Sequence, residues 1–169
     1  MADNEQDIIK KFKISKHHIQ PWQAKAQEHI IRKRIKELGA NSYNMMLPET
    51  RVLPFVLHPE EKINGIVYGR YSQDAISGEK IIGRGTLVAT TKRVLLIDRK
   101  PLFSKNNEIS YGVISGISSS EVALVINMTL YTRVGNINLR TYNPKCAHKF
   151  VEAIEDKVFS TEQRKQTDD

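Results

Sequence analysis

The feature that most restricts the fold is a regular alternation of β-rich runs and turns between about residue 63 and residue 142. Ile, Val, Thr and Tyr dominate the runs, and turns rich in Gly, Ser and Asn separate them at intervals of about 8–12 residues. No helical period interrupts the alternation, so we predict an antiparallel barrel or sandwich and not βαβ units. The apolar run Leu53–Leu57 is assigned to the same region, so antiparallel β-structure is predicted over residues 53–142.

One amphipathic helix is predicted after the β-region. Asn143 is a good N-cap and Pro144 a good first helical residue. Apolar side chains then repeat at helical spacing through residue 158, so we predict a single helix over residues 144–158 whose apolar face covers the open end of the barrel. The residues of that face are Ala147, Phe150, Ile154 and Val158. Residues 161–169 are predicted to form a polar tail.

Residues 1–46 are predicted to form a basic helical arm, and residues 47–160 the β-domain with its helix. Good helix formers fill Pro21–Leu38, Gly39 stands where a left-handed cap ends a helix, and Asn41–Thr50 is predicted to be a connector. A stripe of large apolar residues lies among Lys and Arg. We predict that this stripe mediates self-association; docking on the same chain is the alternative. Its members are Trp22, Ile30, Ile31, Ile35 and Leu38.

Three segments resemble bacterial pleckstrin-homology-like (PH-like) domains: Leu53–Ile63, Gly85–Asp98 and Ile109–Ile117. In that family the second segment is a strand, a short T-x-x-R turn and a strand. The resemblance covers roughly residues 53–158. It implies an α+β, mainly β fold: a seven-stranded antiparallel barrel capped by a C-terminal helix, here with an N-terminal helical arm. Domains of this fold bind lipids, bind peptides or mediate assembly, so the family alone does not define the ligand.

The net charge of +7 favours anionic partners. Residues 1–110 hold all of the excess, because residues 111–169 contain seven basic and seven acidic side chains. A predicted loop places two apolar side chains between cations, an arrangement that can touch a bilayer. The candidate surface residues are Lys92, Arg93, Arg99, Lys100, Leu102, Phe103 and Lys105.

The sequence contains no catalytic or metal-binding motif that keeps its functional positions. Gly78–Gly85 approaches a phosphate loop, but Arg84 and Gly85 stand where that loop needs Lys and Ser or Thr. Adjacent His17 and His18 diverge on a helix, and Cys146 is the only cysteine. We therefore predict no enzyme, no cofactor and no metal.

The predicted function is a non-enzymatic binding or assembly module. Protein–protein interaction with self-association ranks first, a peripheral adaptor on anionic membranes second, and non-specific nucleic-acid binding third. Relatives that bind phosphoinositides cluster basic residues around the first two strands. Here Arg70 and Lys80 are accompanied by Asp74 and Glu79, which argues against a specific phosphoinositide site. Without a signal peptide or an apolar span, the expected location is the cytoplasm, with membrane-peripheral binding as a variant.

Overall fold

A computed structural model describes residues 21–74, 78–99 and 104–167, without the side chains of 104–106 and 161–167. Seven strands in this part form one antiparallel sheet, which confirms the predicted mainly β architecture. The strands are β1 (Ile63–Asp74), β2 (Lys80–Thr90), β3 (Arg93–Arg99), β4 (Ser104–Ser110), β5 (Ile114–Val122), β6 (Val125–Thr132) and β7 (Ile137–Thr141). Their order across the sheet is β4-β3-β2-β1-β7-β6-β5, and a 3₁₀ turn, Tyr111–Val113, joins β4 to β5.

The helices of the described chain are α1 (Pro21–Glu37), α2 (Ser42–Met46), α3 (Pro48–Val56) and α4 (Pro144–Thr167). Two predictions for residues 41–57 were wrong. The predicted connector contains α2 and the first three residues of α3. The apolar run Leu53–Leu57 lies in α3 and its C-cap, so the β-region begins only at Ile63. Tertiary packing explains the difference, because Leu53 and Leu57, one helical turn apart, are both fully buried.

The sheet buries apolar side chains on both faces. On the inner face, Val67, Leu87 and Leu96 share a core with residues of β5–β7 and of α4. On the outer face, Ile66, Val88 and Leu95 form a second core under the N-terminal helices. This second core exists because alternate side chains of a strand point to opposite faces, and α1 and α3 cover the outer one.

The described part of the N-terminal arm docks on its own sheet. Ile31, Ile35 and Leu38 are buried in the outer-face core, whereas Trp22 and Ile30 are 70% and 68% exposed. Helix α1 ends at Glu37, and Gly39 follows as the predicted left-handed cap, with a φ of +105° that favours glycine. Three of the five predicted self-association residues therefore serve the internal core, and this placement corrects their assignment to a partner surface.

Helix α4 closes the inner-face core as predicted. Phe150 and Ile154 are fully buried, and Val158 packs partly buried against the same core. The helix extends beyond the predicted residue 158 to Thr167 and so includes most of the predicted tail.

Candidate functional site

Three arginines lie side by side on the outer face of the sheet. Arg70 in β1 is directly opposite Arg84 in β2 and directly opposite Arg140 in β7. Neighbouring strands are about 4.8 Å apart, so the three positions cover roughly 10 Å along a line across the strands. All three side chains are exposed. We call this set the arginine row.

No carboxylate of the described residues neutralises the arginine row. In the described ranges 21–74, 78–99 and 104–167, none of its guanidinium groups forms an ion pair. Like charges directly opposite each other on neighbouring antiparallel strands are destabilising. Because a guanidinium offers several donors in a planar fork, it binds phosphate and carboxylate groups in a bidentate manner. The row is therefore suited to an anion that supplies the missing negative charge.

The arginine row lines a groove of about 450 Å³ between the sheet and the N-terminal helices. This volume is within the range of small-ligand sites, about 300–1,000 Å³. Tyr43 in α2 and Tyr142 after β7 also line the groove, and they are 63% and 71% exposed. Exposed tyrosines combine an apolar ring with a polar hydroxyl. The groove therefore has cationic walls from the arginines and amphipathic walls from the tyrosines.

Glu49 in α3 is the only carboxylate among the described residues that line the groove. Burial, the largest effect, raises the pKa of Glu49 above its ordinary value of 4.5, and repulsion from Asp98 adds to it. Backbone hydrogen bonds and the charge of Arg99 oppose the shift. The environment thus disfavours the negative form of this carboxyl, which limits its competition with an incoming anion.

Thr86 is the second unusual polar residue of the groove. It lies two residues after Arg84 in β2, and its side chain is fully buried. Its Oγ1 has no hydrogen-bond partner among the described residues. A buried hydroxyl without a partner costs about 1–3 kcal/mol. Stability alone therefore does not account for the polar composition of this groove.

Short-range hydrogen bonds hold the helical wall of the groove. The side chain of Asn41 accepts from the backbone N–H of Asn44, and the side chain of Asn44 accepts from the backbone N–H of Asn41. The amide of Asn143, at the start of α4, donates to the backbone oxygen of Gly39 at 3.0 Å and to Oδ1 of Asn44 at 3.2 Å. These hydrogen bonds connect the helical wall of the groove to the start of α4.

A glycine allows the strands of the arginine row to approach closely. A Cβ atom at Gly69, next to Arg70, would collide with the backbone oxygen of Arg140. Any larger residue at this position would push β7 away from β1 and displace Arg140. Gly69 therefore contributes to the spacing of the row without contacting a ligand.

Two of the binding-surface residues that the sequence predicts, Arg93 and Lys92, form ion pairs within the domain. Arg93 is a structural residue, because its guanidinium binds both carboxylate oxygens of Glu61 at 3.0 Å and also pairs with Glu108. Burial opposes ionisation of Glu61, but hydrogen bonds from Arg93 and Thr90 outweigh it and lower the pKa of Glu61 below 4.5. Lys92 is exposed and lies 3.8 Å from Glu60.

The other candidates lie partly beyond the described structure. Arg99 is half-buried at the end of β3, and its charge acts on Glu49, so it lies near the groove. Lys100, Leu102 and Phe103 fall outside the described residues. Lys105 is described only as a backbone position in β4.

The sheet order and the closing helix define a PH-like domain. The family model described as Bacterial PH domain matches residues 57–156, more than half of the chain, and the chain belongs to that family. No curated protein matches the chain. In the described chain, no helix is both long enough and apolar enough to cross a membrane.

Two solved structures are similar to the chain. One is an N-terminally truncated linker-DH/PH fragment of p115-RhoGEF, with 11% identity and a TM-score of 0.41. The other is the DH/PH fragment of p115-RhoGEF, with 9% identity and a TM-score of 0.36. The matches cover 82% and 80% of this chain but only 41% and 40% of the chains in those two structures.

Sequence reasoning missed the arginine row. Arg70 was noted only beside the first turn, Arg84 only as a departure from a phosphate loop, and Arg140 was not singled out. Alternation in Ile137–Thr141 does indicate that Arg140 points away from the core. The pairing register that brings the three together has no local sequence signal.

Proposed function

We propose that this chain is a non-enzymatic binding module whose arginine row recognises an anionic ligand. The observation that carries the proposal is the register that sets Arg70 between Arg84 and Arg140, with no ion pair to a carboxylate of the described chain. PH-like domains in general mediate protein or lipid interactions, which is consistent with a binding role. The groove supplies a volume and a polar lining that such a ligand can occupy.

Titration with inorganic tripolyphosphate tests this proposal, because this small polyanion has no apolar part. We expect calorimetric binding that weakens with salt, as for other associations dominated by exposed charge. Arg84→Gln and Arg140→Gln should each lower the affinity about tenfold, since a hydrogen bond to a charged group contributes about 1.5–3 kcal/mol. Arg133→Gln is the matched control, because Arg133 is also exposed but lies after β6, outside the groove.

Equal affinity of the row variants, the control and the unchanged protein would refute anion recognition by the arginine row. A fall in affinity that is the same in all three variants would show only a response to net charge. Circular dichroism of each variant separates both results from misfolding.

Self-association is a second candidate function, and one specific observation favours it. Trp22, Ala26 and Ile30 are exposed on α1 at spacings of four residues, so they lie along one face of the helix. A second copy of the chain could cover this face. Sedimentation velocity should then show a dimer that Trp22→Ser and Ile30→Ser dissociate; a monomer at all concentrations would exclude this candidate.

A further inference from the structure

The groove extends from the arginine row in one direction along the strands. β1 is antiparallel to both β2 and β7, so β2 and β7 run in the same direction. Thr86 follows Arg84 by two residues, and Tyr142 follows Arg140 by two residues. At about 3.3 Å per residue, Thr86 and Tyr142 therefore lie on the same side of the row, roughly 7 Å from it. Both residues line the groove.

Hydrogen bonds bring a second exposed tyrosine to this part of the groove. The side-chain amide of Asn143, the residue after Tyr142, donates to Oδ1 of Asn44 at 3.2 Å. Tyr43 immediately precedes Asn44, so this contact holds together the segments that carry the two tyrosines. Neither ring belongs to a core cluster of the described residues. We call the part of the groove that Tyr43, Tyr142 and Thr86 line the tyrosine end.

The two exposed rings are suited to a flat ligand. Aromatic rings pack against other rings in offset-stacked or edge-to-face arrangements, and a tyrosine outside the core leaves this capacity unused. Nucleic-acid bases stack on such side chains regardless of their identity, because every base has a π-face. The tyrosine end therefore offers two surfaces on which one planar ring can stack.

Thr86 adds a polar group to the tyrosine end. Its Oγ1 has no hydrogen-bond partner among the described residues. Tyr68 is directly opposite Thr86 on β1, but its hydroxyl lies 3.1 Å from Oγ1 of Thr50 and is used there. A ligand that carries donors and acceptors at the edge of its ring can supply the partner that Thr86 lacks.

We propose that the groove binds a nucleoside polyphosphate, with its phosphates on the arginine row and its base at the tyrosine end. This inference rests on the proposed function, because it names the molecule that carries the anion. The row covers roughly 10 Å across three strands, which is longer than one phosphate group and suits linked phosphates. A nucleotide also separates its charged part from its flat part, as the groove separates the row from the tyrosine end.

The composition of the groove favours this ligand class over other phosphates. An inorganic polyphosphate would use the arginines but leave Tyr43 and Tyr142 in water and Thr86 without a partner. A sugar phosphate has hydroxyl groups but no flat ring. A phosphorylated tyrosine side chain has a flat ring, but it brings a single phosphate and no polar group at the ring edge that faces away from it.

Calorimetric titration of the full chain with adenosine triphosphate (ATP) and with tripolyphosphate, both without magnesium, tests the proposal. Both ligands carry three linked phosphates, so the ratio of their affinities measures what the adenosine part contributes. We expect ATP to bind roughly tenfold more tightly or better, because the base adds stacking contacts. Tyr43→Ala and Tyr142→Ala should each reduce this ratio several-fold, and the double variant should abolish it. Tyr131→Ala is the matched control, because Tyr131 is also exposed but lies in β6, outside the groove.

Thr86→Val tests the polar contact, because valine keeps the shape of the side chain and removes the hydroxyl. We expect the thermal midpoint of the unliganded protein to rise, since a buried hydroxyl without a partner is destabilising. The affinity for ATP should fall several-fold, since the bond to the edge of the base is lost. A lower thermal midpoint with an unchanged ratio of the two affinities would overturn this contact and make Thr86 a structural residue.

Tryptophan fluorescence measures the position of the base directly. The sequence has one tryptophan, Trp22, so Tyr142→Trp in a Trp22→Phe background reports only on the tyrosine end. We expect ATP to quench this emission by stacking, and tripolyphosphate to leave it nearly unchanged. Unchanged emission at saturating ATP would overturn the placement of the base.

The two proposals fail in distinguishable ways. If the chain binds tripolyphosphate through the arginine row but binds ATP no more tightly, the row is an anion site and the nucleotide inference is wrong. If the row variants bind tripolyphosphate normally, the proposed function itself fails. If a single-stranded oligonucleotide displaces ATP at an equal concentration of nucleotide units, the ligand is a nucleic-acid strand and the proposal of a free nucleotide is overturned.

Discussion

Arg70→Gln should stabilise the folded protein and weaken its function at the same time. Arg70 is directly opposite two other arginines, so one substitution removes two like-charge contacts. At about 6 Å in water, two unit charges repel by roughly 0.7 kcal/mol. Like-charge pairs across strands fall in the range of about 0.2–1 kcal/mol. We therefore expect the free energy of unfolding to rise by about 1 kcal/mol at low salt.

Urea denaturation at low and high salt measures this effect. The gain should nearly vanish at about 1 M salt, where the screening length is only about 3 Å. Saturating tripolyphosphate should reverse the order of stability, because a ligand at a hundredfold excess over its Kd adds about 2.7 kcal/mol to the protein that binds it. The assay thus relates stability and binding in one set of curves.

Two results would refute this reasoning. Arg70→Gln would be less stable than the unchanged protein at low salt if Arg70 had a stabilising role within the fold. Arg133→Gln would show the same gain if net charge, and not the register of the row, produced the effect.

Three further outcomes follow from the packing. Phe150→Ala should cost about 3–5 kcal/mol in urea denaturation, because Phe150 is fully buried; an unchanged midpoint would show that α4 is not docked. Glu61→Gln should cost about 3 kcal/mol at neutral pH. The fold lowers the pKa of Glu61, so the ionised carboxylate contributes to stability above pH 4.5. This stabilisation is lost as the pH falls through the pKa of Glu61 in the folded protein. Only the unchanged protein should therefore show this acid-dependent loss of stability. Removal of residues 1–46 should unfold the domain, because Ile31, Ile35 and Leu38 are buried in its core; a folded, stable fragment in circular dichroism would restore the predicted boundary.

The sequence alone was sufficient for elements that depend on local patterning. The turns that join β2 to β3 and β6 to β7, the cap at Gly39 and the helix that begins at Pro144 could each be predicted from a short segment. Phe150 and Ile154 could be assigned to a core because helical spacing brings them to one face. In each case the physical cause acts over a few residues, so it leaves a local signal.

The tertiary structure determined which residues are buried and which form the surface of the groove. The short apolar run Leu53–Leu57 is compatible with a strand, yet docking on the outer face of the sheet makes this segment part of a helix and its C-cap. The same docking removes Ile35 from the surface and creates one wall of the groove.

The arginine row also depends on contacts between distant segments. Arg70 and Arg140 are seventy residues apart in the chain and become neighbours only through the pairing of β1 with β7. Register is set by the burial of apolar side chains and by the turns across the whole sheet. The exposed arginines follow that register without specifying it, which is why the sequence could not identify the site that they form.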